Sequence, residues 1–202
     1  MRIFIDKKQL LTSDLIPSYV FNLWDNTMDF SGSNWFSDSN VTTSNLTDNF
    51  MNKTVLKTAA WDEISQNIYG YKGETYTLSC NVLVDDGSKT VLHFYSNAKG
   101  NDGYSDPRTD SENQTVANLP SKQWIRISQT FKVTKDTVLQ PRWENLNSSN
   151  VYFGSFMLNR GSIPLPWNIS LNDLKSKMGG YQPLKPLISM LYVLSSEREV
   201  AA

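Results

Sequence analysis

Three stretches of this 202-residue chain set hydrogen-bonding side chains against apolar ones in strict alternation: Glu74–Tyr95, Trp124–Val133 and Val138–Asn145. In the first, Asn81, His93 and Tyr95 alternate with Cys80, Val82, Leu92 and Phe94. In the second, Arg126 and Ser128 alternate with Ile125 and Ile127. In the third, Gln140, Arg142 and Glu144 alternate with Leu139 and Trp143. Arginine and glutamate side chains form paired, planar hydrogen bonds. Tyrosine and tryptophan supply flat apolar faces with a polar tip. The set suits a polar ligand with many hydroxyl groups, and the loop aromatics Trp61 and Tyr104 are candidate platforms at its rim, beside Tyr69 and Tyr71. A plainer reading stands next to this one. Outward residues of any sheet are polar, Arg142 can pair with Glu144, Trp61 can equally anchor a core, and one bulge reverses the assignment beyond it.

Other chemistries find little support. Hydrolysis of a glycosidic bond needs two carboxylates facing one cleft, and nothing in the sequence pairs Asp62, Glu63 and Glu144. The single histidine, His93, has no matching nucleophile signature. Cys80 is the only cysteine, which excludes an internal disulfide and a cysteine-ligated zinc site, and its place in an alternating strand reads as a small buried hydrophobe. The expectation is a protein that is not an enzyme and needs no cofactor or metal. A formal charge of −1 gives no basic field for nucleic acid. The longest apolar run, Leu187–Leu194, is too short to insert into a membrane, and residues 1–20 lack the layout of a signal peptide. Synthesis in a cytoplasm without an export signal is therefore expected, and the six Asn-x-Ser/Thr triplets are taken as composition.

The elements that must position these side chains are short strands. Tyr76, Leu78, Cys80, Val82 and Val84 share one face of a strand that turns at Asp85-Asp86-Gly87-Ser88 and returns through Leu92 and Phe94. Ile127, Phe131 and Val133 mark another, Leu139 and Trp143 a third, and Val151–Leu158 closes the series with Tyr152, Phe156 and Leu158 on one side and Phe153, Ser155 and Met157 on the other. Helical periodicity is nearly absent, apart from a short helix expected over Leu171–Met178 behind a cap at Ser170 or Asn172. The pattern predicts an all-β chain, a β-sandwich or barrel. Trp24, Trp35 and Trp167 are expected to pack at its ends, and Asn97–Asn118 is a long polar loop.

Four segments, in order, carry a resemblance: NLWDNT from Asn22, GETYTLSCNV from Gly73, the W-x-R-x-S-x-T-F-x-V of Trp124–Val133, and VYFGSFMLNRGSIPLPWN over Val151–Asn168. Together they resemble jelly-roll carbohydrate-binding modules of the family 4/9 kind, in the version found in tail and baseplate proteins of phages of Gram-positive bacteria. The resemblance covers residues 21–171. It implies a jelly roll of two antiparallel sheets, flanked by an N-terminal attachment segment (1–20) and a C-terminal appendage (172–202). It further implies non-catalytic binding of host cell-wall saccharide, a place in the virion among other baseplate and tail proteins, and display in many copies. Such modules often hold a structural calcium through an Asp on the last strand. Here that position is Gly154, one carboxylate short for an ion that takes six to eight oxygens. Two alternatives stay open: a purely structural baseplate sandwich, and the sugar-binding module of a cell-wall hydrolase.

Overall fold

Alternation with a period of two is what builds the sandwich. The computed structural model describes residues 21–37, 41–96 and 115–177. In β5 (Thr75–Val84), Tyr76, Leu78, Cys80, Val82 and Val84 are each at most 2% exposed. They belong to a five-stranded antiparallel sheet with β1 (Thr43–Thr47), β2 (Lys53–Lys57), β8 (Ile125–Lys132) and β11 (Val151–Arg160), in the order β1-β2-β11-β5-β8. Facing it are β3 (Asp62–Glu63), β6 (Val91–Tyr95), β7 (Thr115–Ala117) and β10 (Arg142–Asn145), in the order β3-β10-β6-β7. Leu92, Phe94 and Trp143 from this second sheet meet Phe131 and the β5 residues in one core, where the Phe94 ring lies 5.7 Å from Phe131 and 5.4 Å from Trp143. The chain is thus all-β, a sandwich of two antiparallel sheets with the jelly-roll architecture.

Aromatic packing closes one end. Trp24, Phe30, Trp35 and Phe156 form a cluster with ring centroids 5.0–6.3 Å apart. Each such pair contributes about 1 kcal/mol beyond the area it buries. Trp167 reaches the same N-terminal segment, its indole donating to Thr27 Oγ1 at 3.0 Å. The Cys80 thiol is fully buried, which pushes its pKa up and leaves it a packing group.

One expected face assignment is wrong. Phe153, placed outward by simple alternation, is fully buried and stacks on Phe156 at 6.0 Å. The β11–β5 register slips by one residue between Gly154 and Met157, and Ser155 takes a positive φ of 45°. The bulge lets Phe153 before it and Phe156 and Leu158 after it all point inward. Gly87, read from the sequence as half of an Asp-Gly turn, is not among the residues with positive φ; a Cβ there would lie 1.5 Å from the Leu119 carbonyl oxygen. Close backbone approach, not turn geometry, requires glycine at this position.

The stretch read as one strand, Val138–Asn145, is two: β9 (Thr137–Leu139), paired with β4 (Ile68–Gly70), and β10. The register does not slip between them. Starting from Glu63 opposite Glu144 and moving five residues along each strand gives Ile68 opposite Leu139, the pair observed. β3–β4 and β9–β10 thus share one register as an interrupted ribbon belonging to two sheets. The pairing lapses over residues 64–67 opposite 140–143, where Ser65 pairs with Phe36, the Gln140 N–H donates to the Ser96 carbonyl, and Pro141 has no N–H to donate. Helix α1 (Leu171–Lys177) begins at Ser170, whose Oγ accepts from the Asp173 N–H at 3.0 Å, so Ser170 and not Asn172 is the cap. The N-terminal segment 1–20 and the apolar run Leu187–Leu194 lie outside the described residues.

Candidate functional site

On the side of the four-stranded sheet away from the core, the register lines up one row across four strands: Glu63, Glu144, His93 and Thr115. Next to it Arg142 stands opposite Tyr95. The contacts follow that register. The Arg142 Nε donates to Glu144 Oε1 at 2.7 Å and its Nη1 to the Gln140 carbonyl at 3.1 Å. Its guanidinium lies over the Tyr95 ring at 5.2 Å, and the Tyr95 and His93 rings are 4.6 Å apart. His93 Nδ1 is 2.7 Å from Thr115 Oγ1, and Gln140 Nε2 donates to Ser65 Oγ at 2.9 Å. Phe94 and Trp143 alternate with these residues into the core, because one side of each strand must be apolar for the sandwich to close.

Five of the nine residues singled out in the sequence are thus brought together here: His93, Tyr95, Gln140, Arg142 and Glu144. Their expected exposure to solvent is corrected. His93 is 8% exposed, Tyr95 9%, Arg142 4% and Glu144 5%, so the row is closed, not an open trough. Burial lowers the pKa of His93, favouring its neutral form at pH 7.

Glu63 was passed over as an acid without a partner. The structure sets it beside Glu144, and burial, reinforced by the Glu144 and Asp62 carboxylates against the opposing charges of Arg142 and Lys57, raises its pKa to about 7. Only the cross-strand register reveals this pair; the two residues are far apart in sequence. Behind it, Lys57 is fully buried, with its Nζ 3.4 Å from Asp62 Oδ1 and a hydrogen bond to Ser37 Oγ; burial lowers its pKa.

Asn81 and Arg126 are elsewhere. Both belong to the five-stranded sheet, on its face away from the core, so the expectation that they share one sheet face with His93, Tyr95 and Arg142 does not hold. Arg126 donates through Nη1 to Asn81 Oδ1 at 3.1 Å and to the Ser155 carbonyl at 3.3 Å. Through Nη2 it donates to Ser79 Oγ at 2.7 Å and to the Leu165 carbonyl at 3.3 Å. Its guanidinium also sits 5.8 Å from the Phe50 ring centroid. Asn81 Nδ2 donates to Asp48 Oδ2 at 3.2 Å. These groups tie the β1–β2 turn and the chain after β11 onto the sheet. Trp61 is 45% exposed with φ 64°, held at one end of the ribbon by its N–H donating to the Asn145 carbonyl at 2.5 Å. Tyr104 lies outside the described residues.

The residues around Gly154 do not fit calcium. A Cβ at 154 would be 2.7 Å from Asp48 Oδ2, so the glycine makes room for the Asp48 side chain. That carboxylate already accepts from the Phe50 and Asn52 backbone N–H groups, at 2.9 and 3.2 Å, and from Asn81. Among the described residues no group of three or more His, Cys, Asp or Glu side chains could hold a metal ion. Nor is any described helix long and apolar enough to cross a membrane.

No protein-family model matches the sequence, and no curated protein does. Solved structures do. The C-terminal family 22 carbohydrate-binding module of Clostridium thermocellum Xyn10B is 17% identical with a TM-score of 0.54, over 74% of this chain and 99% of that one. A xylan-binding domain of the same family is 15% identical with a TM-score of 0.51, over 72% and 98%. A domain of bacteriophage CBA120 tailspike protein 4 is 12% identical with a TM-score of 0.49, over 71% of this chain and 22% of that one. Sandwich, register and fold likeness agree: this chain has the β-sandwich fold of carbohydrate-binding modules.

Proposed function

We propose that the chain is a non-catalytic saccharide-binding module whose ligand lies against the outer face of the four-stranded sheet. The observation that carries this reading is the register that puts Tyr95 under Arg142, and His93 and Glu144 beside them, on one face of a carbohydrate-binding-module fold. Tyrosine supplies an apolar ring face for sugar C–H groups, and the guanidinium and carboxylate supply planar hydrogen-bonding edges for hydroxyls. Two neighbouring carboxylates, Glu63 and Glu144, do not make this a hydrolase: Glu144 is already held by Arg142. The sequence resemblance over residues 21–171 supports placing the module in the tail or baseplate of a phage of a Gram-positive host. Residues 1–20 and 172–202 would serve attachment to other virion proteins, and many copies would compensate for weak single-site binding to wall polysaccharide. A second reading, a purely structural sandwich, is favoured by one observation, the 4–9% exposure of the polar row.

Labelling of Gram-positive cells by the fluorescently tagged chain, with free wall saccharides as competitors, separates the two. The saccharide reading gives labelling that the saccharides displace and that Tyr95→Ala weakens. A folded wild-type chain that labels no cells and binds no saccharide leaves the structural reading standing.

A further inference from the structure

Lys57 is a nucleophile that the saccharide reading does not use, and it is 0% exposed. Lysines are rarely buried this fully, because an ammonium loses its hydration there. Lys57 ends β2, opposite Val151 in the five-stranded sheet, and Asp62 begins β3, opposite Asn145 in the four-stranded sheet. Between them Thr58, Ala59, Ala60 and Trp61 are all exposed. The two buried residues thus form the base of an exposed loop that connects the sheets. The Lys57 Nζ lies 3.4 Å from Asp62 Oδ1. Ser37 Oγ bridges the pair: it accepts from Lys57 Nζ, lies 3.4 Å from Asp62 Oδ1, and donates to the Glu63 carbonyl at 2.7 Å.

We propose that Lys57 and Asp62 join in an isopeptide bond, formed by the folded chain on itself, which closes the exposed loop 58–61 into a covalent ring between the two sheets. Burial lowers the Lys57 pKa, which favours the neutral amine that attack requires. Moving one proton from the ammonium to Asp62 turns a buried ion pair into a neutral amine beside a neutral carboxyl. Glu63, next in sequence, responds to the charges of both residues, and its pKa of about 7 keeps a proton on it below neutral pH.

The Lys57 nitrogen then attacks Asp62 Cγ. The C–N bond forms, the C–OH bond breaks, and the nitrogen gives up one proton. Glu63 gives its proton to the departing hydroxyl and takes back the one that the nitrogen releases. One amine and one carboxylic acid become one amide and one water, with no oxidant, reductant or other co-reactant. Both strands are fixed in their ladders, so the pair meets without further ordering. The product replaces two buried charges with a single amide, which offsets the unfavourable equilibrium of amide formation in bulk water. A protease cutting within the exposed loop would leave the two sheets covalently joined. None of this depends on the saccharide reading.

Tryptic peptide mapping of the full chain by mass spectrometry tests the bond. Trypsin cuts after Lys57 only while its side chain is an amine. The crosslinked chain should therefore give residues 54–72 as one peptide, lighter than its sequence by one water. Asp62→Ala and Lys57→Arg should give peptides of full sequence mass, cut after position 57. Asp62→Asn should form the same bond with ammonia as the leaving group, so its peptide should match the wild-type one in mass. Glu63→Gln, with a thermal melt to show that it is folded, should crosslink about a hundredfold more slowly. Complete cutting after Lys57 at full sequence mass, in a wild-type chain that melts cooperatively, overturns the proposal and leaves a buried ion pair. Loss of water with the cut intact, the mark of a cyclic imide at Asp62, overturns it equally. A Glu63→Gln chain that crosslinks as fast as wild type overturns the proton relay.

Discussion

The two outer faces of the sandwich have the same kind of residues and handle them differently. On the five-stranded sheet, Arg126 bonds to Asn81 and Ser79 on its own face and also to the Ser155 and Leu165 carbonyls, and Asn81 reaches the Asp48 carboxylate of the β1–β2 turn. At the four-stranded sheet, Arg142 bonds to the Glu144 side chain and to the neighbouring Gln140 carbonyl, and Gln140 to the Ser65 side chain. The first arrangement fastens remote segments of the chain. The second holds planar groups in fixed orientation beside an aromatic ring. Residue type alone therefore does not distinguish the two faces; the destinations of these hydrogen bonds do.

That contrast breaks most sharply at the arginines. Arg142→Ala leaves Glu144 buried without its charge partner and should destabilise by about 3–5 kcal/mol in urea unfolding. The double change Arg142→Met/Glu144→Gln removes both charges together and should recover most of that loss, while saccharide binding stays abolished. Arg126→Ala should cost about 3 kcal/mol, because several bonds to a charged donor go at once. No single partner change can restore them, since two of the acceptors are carbonyls. Saccharide affinity of the folded fraction should be unaffected. Failure of the Arg142→Met/Glu144→Gln change to recover stability, or lost saccharide affinity in folded Arg126→Ala, would erase the distinction between the faces.

A smaller effect lies in the pH dependence of Glu63. Its folded pKa of about 7 stands above the usual 4.5, so the native state holds a proton that the unfolded state has released between those values. Stability should accordingly fall as pH rises from about 4.5 to about 7 and level off above. Glu63→Gln should remove this contribution, making the variant the more stable of the two at pH 8; titration of unfolding free energy against pH checks it. Smallest of all should be the Glu74–Arg160 pair, 3.5 Å apart at the sandwich rim and partly exposed. Glu74→Gln should change stability through that pair by only about 0.5 kcal/mol, with a further loss from the Tyr76 hydroxyl, which donates to the same carboxylate.

Much of the fold was legible because the sequence alternates cleanly. Tyr76, Leu78, Cys80, Val82 and Val84 are inward as read, and Phe94 and Trp143 are buried while His93, Tyr95 and Arg142 share the opposite side. Phe153 was misplaced because a bulge is a local backbone event that alternation does not announce; the Gly154–Ser155 pair is its only trace in the sequence. Asn81 and Arg126 were grouped with the wrong face because strand order, which splits β5 and β8 from β6 and β10, is not written in any one strand. The Glu63–Glu144 pairing and the ribbon that leads to Tyr69 depend on long-range register, and each half alone reads as a short irregular strand.

Backbone amide shifts recorded while wall polysaccharide fragments are added test the assignment of the binding face most directly. The expected result is a set of changes along β3, β6 and β10, with β5 and β8 quiet. Changes centred on Asn81 and Arg126, or none anywhere at saturating saccharide, would contradict it.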